Sequence, residues 1–86
     1  MTHKIFKVLN FYYVHIDEQS LLCPLADFID ENSLITEVIE VKYIPKARQG
    51  VVVVRFKAND EDPETYLSEM VKNFNEKIQW TNLFYS

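Results

Sequence analysis

Between Leu34 and Ala58 apolar side chains recur at alternate positions on both sides of a single break at Pro45, a period that admits little besides a pair of strands. Ile35, Ile39, Val41 and Tyr43 share one parity and Thr36, Glu40 and Lys42 the other, the pattern of a half-buried strand over Leu34 to Ile44. Pro45 stops that strand, and the polar loop Lys46 to Gly50 follows. Val51 to Ala58 then resumes as a strand with Val52, Val54 and Phe56 opposite Val51, Val53, Arg55 and Lys57. The two segments predict an antiparallel hairpin.

The flanking sequence supplies the rest of the fold. Lys4 to Val14 is rich in β-branched and aromatic residues and reads as one opening strand. After the polar break at Asp17 to Ser20, Leu21, Leu25 and Phe28, with Leu22 and Ile29 beside them, follow helical spacing. Ser20 is the expected N-cap, Pro24 falls in the first turn where no N–H is needed, and the helix should end between Asp30 and Ser33. A second helix begins at Pro63, behind an Asp62 cap and ahead of the acid Glu64, and runs to about Lys77 with Leu67, Met70, Val71, Phe74 and Ile78 on one face. Trp80 to Tyr85 reads as a short closing strand. The order β-α-β-β-α-β predicts an α+β, ferredoxin-like sandwich over residues 1–86, a four-stranded antiparallel sheet in the order 4-1-3-2 with two helices on one face. The charges at Glu37, Glu40 and Lys42, together with Pro45, mark the second strand as an edge.

Size and composition narrow the function. Eighty-six residues hold one core, burying roughly 60–65% of the surface exposed when unfolded, and with 48% hydrophobic residues that core needs no metal or disulfide. The lone cysteine, Cys23, has no internal partner, and no apolar run approaches the ~20 residues of a membrane span or follows a secretion signal. The expected setting is the cytoplasm, with no membrane contact. The chain has one glycine, whereas phosphate-cradling loops, nucleophile elbows and dinucleotide turns need several.

Charge is distributed unevenly. Lys42, Lys46, Arg48, Arg55 and Lys57 lie within sixteen positions that contain no acid, so this segment carries +5 and the remainder −9 of a net −4. A basic hairpin on an acidic body points to recognition of a protein partner. The sheet face free of helices is the second candidate surface, with Val51, Val53, Arg55 and Lys57 outward on the third strand and Val38, Glu40 and Lys42 on the second. On the first strand Ile5, Lys7, Leu9, Phe11 and Tyr13 are expected outward, because the opposite parity (Phe6, Val8, Tyr12 and Val14 outward) would bury Lys7. The first strand is apolar on both parities, and helices cover only one face. A two-fold homodimer burying Leu9, Phe11 and Val53 is the simplest closed solution.

Three other classes carry weaker signals. The stretch Gln49 to Phe56 loosely follows the strand pattern of RNA-recognition modules, yet valines at 51 and 53 take the places of the stacking aromatics and offer no π-face. With a pI near 5.0, nucleic acid is left only the basic hairpin. A ligand-sensing regulatory domain lacks a glycine turn after its first strand. For catalysis, Cys23 is the one residue suited to act as a nucleophile, although a cysteine beside Leu22 and Pro24 is ordinarily inert packing. Twelve residues along one strand would hold His3 and His15 roughly 40 Å apart. No catalytic residue, metal site or cofactor is expected. The sequence reads as a small non-enzymatic interaction domain of regulator or inhibitor type, contacting its partner through Lys42, Lys46, Arg48, Arg55, Lys57, Leu9, Phe11, Tyr13 and Val53.

Overall fold

The run from Lys4 to Val14 is two strands, not one. A computed structural model describes residues 1–85, with side chains described through Trp80. β1 (His3–Val8) turns back through Leu9 and Asn10 into β2 (Phe11–Ile16), and the two pair antiparallel with Val8 opposite Phe11 and His3 opposite Ile16. Leu9 makes the turn at φ 55°, a left-handed conformation that costs a side chain of this size roughly 1–2 kcal/mol. A turn of two residues pairs even with odd positions, so Ile5 shares a face with Val14, and Phe6 shares the other with Tyr13. That is why the segment looks apolar on both parities. Each half has one face inward, and the parity changes at the turn.

The remaining elements are α1 (Leu22–Asn32), entered through a 3-10 turn at Gln19–Leu21, then β3 (Thr36–Ile44), β4 (Gln49–Phe56) and α2 (Pro63–Tyr85). The sheet is antiparallel throughout in the order β1-β2-β4-β3. The expected ferredoxin-like β-α-β-β-α-β order and its 4-1-3-2 sheet are thus overturned in favour of β-β-α-β-β-α. Trp80 to Tyr85 is no strand. It belongs to α2, a 23-residue helix that no glycine or proline interrupts after Pro63. The place beside β2 that a closing strand was expected to fill is taken by β1. The β3–β4 hairpin forms as expected, with a bulge between Val38 and Glu40 that keeps Val38 on the same face as Val41.

Both helices pack on one face. Leu22, Leu25, Ala26 and Ile29 of α1 and Leu67, Met70, Val71 and Phe74 of α2, each set at i, i+3, i+4, i+7 spacing, meet Tyr12, Val14, Ile16, Val52 and Val54 in one buried cluster. The only glycine is placed by this packing: a Cβ on Gly50 would lie 2.8 Å from Leu22 Cδ1, so the start of α1 sits directly over β4. Ser20, the expected cap, lies instead within the 3-10 turn, and α1 begins without a side-chain cap. The start of α2 is capped as expected. Thr65 donates its N–H to Asp62 Oδ1 (3.3 Å) and its hydroxyl to Oδ2 (2.7 Å). A buried polar link joins the layers where Thr36 donates to Ser33 Oγ (2.7 Å), which lies 2.7 Å from the Tyr66 hydroxyl.

Two outcomes follow. Leu9 is 82% exposed, so Leu9→Gly removes backbone strain without losing burial and should stabilise the fold by about 0.5–1 kcal/mol in chemical denaturation. The hydrogen bonds from Thr65 hold the Asp62 carboxyl below its ordinary value of 3.8. A depressed native pKa gives stability that is present above the unfolded value and is lost as pH falls through the native one. Asp62→Ala should therefore melt below wild type at neutral pH, and the gap should close as the solution is acidified below 3.8.

Candidate interaction surface

β2 and β4 are the central strands, and their outward side chains form the middle of the face that no helix covers. Cross-strand register arranges that face in three rows. Lys4, His15, Val51 and Lys42 form the first, Phe6, Tyr13, Val53 and Glu40 the second, and Val8, Phe11, Arg55 and Glu37 the third. Of the candidates on the opening segment, Phe11 and Tyr13 lie on this face. Leu9 lies in the turn. Ile5 and Lys7 lie on the helix side, where Ile5 packs against the core and Lys7, at the outer edge, stays exposed with its Nζ 5.9 Å from the centre of the Tyr12 ring. The feared burial of Lys7 does not arise, because an edge strand leaves the long side chain open to water. Val38, expected outward, packs against the core on the helix side.

Val51 and Val53 are only 1% and 3% exposed although no helix covers them. Their shield is made of neighbouring side chains. Lys42 on β3 places its Nζ 5.6 Å from the centre of the Tyr13 ring on β2. As β4 lies between their strands, at a spacing of about 4.8 Å, this contact brings the lysine and the tyrosine together over β4. At the far end Arg55 Nη2 meets Glu37 Oε2 at 2.7 Å. His15, beside Val51, packs edge-on to Phe6 with centroids 5.1 Å apart and places Nδ1 3.3 Å from Gln49 Oε1. What stays open on this face is its β1–β2 half, where Phe6 is 50% and Val8 52% exposed.

The five basic residues are not one patch. Lys46 and Arg48 sit at the hairpin tip, where Arg48 adopts φ 52° and donates its N–H to the Pro45 carbonyl (3.2 Å). Arg55 and Lys57 stand at the other end of β4, roughly 25 Å away for a strand of this length. Lys42 lies between them, 3.9 Å from Glu40. The acid-free window in the sequence is answered in space by Glu37 and Glu40, which precede it on the neighbouring strand. Among the described residues no ion pair involves Lys46, Arg48 or Lys57, so the unneutralised charge of the cluster is split between the tip, which holds two of these residues, and the opposite end, which holds one.

The hairpin also revises the histidine geometry. His3 pairs with Ile16, next to His15, so both rings border one surface cleft with Asp17 in place of lying 40 Å apart. The Asp17 carboxylate is engaged by the N–H and hydroxyl of Thr2 (3.0 and 2.7 Å), which hold its pKa down. Among the described residues no cluster of three or more histidine, cysteine or acidic side chains is placed to hold a metal. Cys23 is exposed on α1, across the sheet from His15, and is not core packing. No described helix is long and apolar enough to cross a membrane. No known protein family, curated protein or solved structure matches the chain.

The cover over the valines can be tested separately from the tip. Tyr13→Ala should destabilise by about 1–2 kcal/mol, since it uncovers both Val51 and Val53 as well as losing its own burial. Reversal of Lys46 and Arg48 to glutamate should leave stability within ~0.5 kcal/mol.

Proposed function

We propose that this chain is a small non-enzymatic protein-interaction domain, of regulator or inhibitor type, that contacts its partner through the helix-free sheet face. The observation that carries this reading is the open half of that face. Phe6 and Val8 are half exposed beside Phe11 and Tyr13, while the other half is sealed by its own side chains. Apolar and aromatic surface framed by charge is the composition of an interface core and its rim. The frame on the open side is cationic at Lys4, two residues from Phe6 on β1, whereas Arg55 beside Phe11 is already paired with Glu37, so the fitting partner presents apolar side chains with an acidic group placed to meet Lys4. The tip residues Lys46 and Arg48 extend the same sign of charge beyond the sheet and favour encounter with such a partner over recognition by shape alone.

The aromatic row on an open antiparallel sheet also supports a second reading, single-stranded nucleic acid stacked on Phe6, Phe11 and Tyr13. Protein is favoured because β4 presents buried valines at the centre of the face and the chain carries net charge −4.

Affinity capture from the native host separates these readings. Wild type should retain one or a few proteins that Phe11→Asp loses while keeping its thermal midpoint, and their retention should persist after nuclease treatment. Equal retention by Phe11→Asp would exclude the face as the contact. Retention that nuclease abolishes would favour the stacking reading.

A further inference from the structure

The β3 edge presents a second surface, on a different side of the molecule. β3 ends the sheet, and among the described residues no strand lies on its outer side. Four large apolar residues stay exposed along this one strand: Ile39 (45%), Val41 (37%), Tyr43 (37%) and Ile44 (36%). Both edges carry charge, but the two charges of β1 are lysines, which repel a second copy, whereas Glu40 and Lys42 of β3 are of opposite sign. On β3 the open length is bounded. At Val38 the backbone N–H is already donated to Asp30 Oδ1 (3.2 Å), which leaves Ile39 to Ile44 as the stretch where a second strand could pair.

That stretch is complementary to itself. In a two-fold antiparallel pairing, residues lie opposite one another when their numbers add to a constant, and the sum must be even for both copies to keep their helices on the same side. Centring the axis on Glu40 sets that glutamate against its own copy, and centring it on Lys42 opposes two lysines. Centring it on Val41 sets Glu40 against Lys42 twice, places Val41 against Val41, and brings Tyr43 opposite Ile39. It also lays the basic tip of each copy along the start of β3 in the other, where Glu37 stands.

We propose that two copies of this chain pair antiparallel along β3, two-fold about Val41, and join their sheets into one of eight strands. The contact is isologous and closed, so it consumes both open edges and leaves none to propagate. A pairing this short falls at the small end of specific interfaces, under about 1,200 Å² in total, so the dimer should be weak, with Kd on the order of 10–100 μM at low salt. This proposal does not rest on the sheet-face reading: Glu40 and Lys42 belong to the covered β3–β4 half of that face, and none of its open residues Phe6, Val8, Phe11 and Tyr13 takes part.

Charge exchange tests it by sedimentation at low salt, with circular dichroism confirming the fold of every variant. Wild type should dimerise. Glu40→Lys alone opposes lysines and Lys42→Glu alone opposes glutamates, so each should weaken the dimer by about tenfold or more. The double variant E40K/K42E restores opposite charges and should dimerise again. An equimolar mixture of the two single variants should form a mixed dimer, since each then supplies what the other lacks. Wild type monomeric at about 500 μM overturns the proposal, as does either single variant dimerising unimpaired or a mixture that stays monomeric. Phe11→Asp should leave the dimer intact. A dimer lost in Phe11→Asp and kept in Glu40→Lys would transfer self-association to the sheet face and refute the edge pairing.

Discussion

The two-residue turn at Leu9 and Asn10 is the constraint on which the rest of the architecture depends. Because Val8 lies opposite Phe11 across it, inward and outward positions exchange parity at the turn. Ile5 of β1 and Tyr12, Val14 and Ile16 of β2 then all reach the helix side, while Phe6, Val8, Phe11 and Tyr13 collect on the other. Without the reversal β2 would have no neighbour on its outer side. The turn is held in a conformation that Leu9 adopts against its steric preference, so it is set by the pairing and the core rather than by the local residues.

The helix side and the free side are stabilised in different ways. On the helix side aliphatic residues from both helices and from β2 and β4 exclude water in a single layer, with Gly50 allowing α1 to approach the sheet. On the free side long polar side chains form the cover. Lys42 and Tyr13 meet over β4, which lies between their strands, and Arg55 closes against Glu37. This cover protects the β3–β4 half and stops at β2. The exposed Phe6 and Val8 are a consequence of where those long side chains are rooted. The residues that give the hairpin its basic appearance therefore divide, with Lys42 and Arg55 engaged on the face, and Lys46 and Arg48 at the tip and Lys57 at the opposite end in no ion pair among the described residues.

Much of this order is legible in the residues. Alternation on either side of Pro45 identifies the β3–β4 hairpin, and Asp62-Pro63-Glu64 marks the start of α2, whose Leu67, Met70, Val71 and Phe74 are buried as their spacing predicts. The opening segment misleads because Leu9-Asn10 lacks the glycine that usually announces a two-residue turn, so a hairpin reads as one long strand. The change of apolar parity between Ile5 and Val14 is the signal that identifies it. Once that segment is taken as one strand, a fourth strand must come from elsewhere, and the aromatic residues near the C-terminus invite the role although no break separates them from α2. The basic cluster misleads for a related reason. Counting charge along the chain cannot show that Glu37 and Glu40 lie across from it, or that a strand of eight residues carries Arg55 far from the tip.

Nuclear magnetic resonance contacts across the opening hairpin test the account most directly. In uniformly labelled protein at neutral pH, β1 and β2 should show cross-strand proton contacts linking Ile5 with Val14 and Phe6 with Tyr13, and Trp80 to Tyr85 should give helical carbon shifts. Contacts between Lys4–Val14 and Trp80–Tyr85, with extended shifts in the latter and none linking Ile5 to Val14, would contradict it.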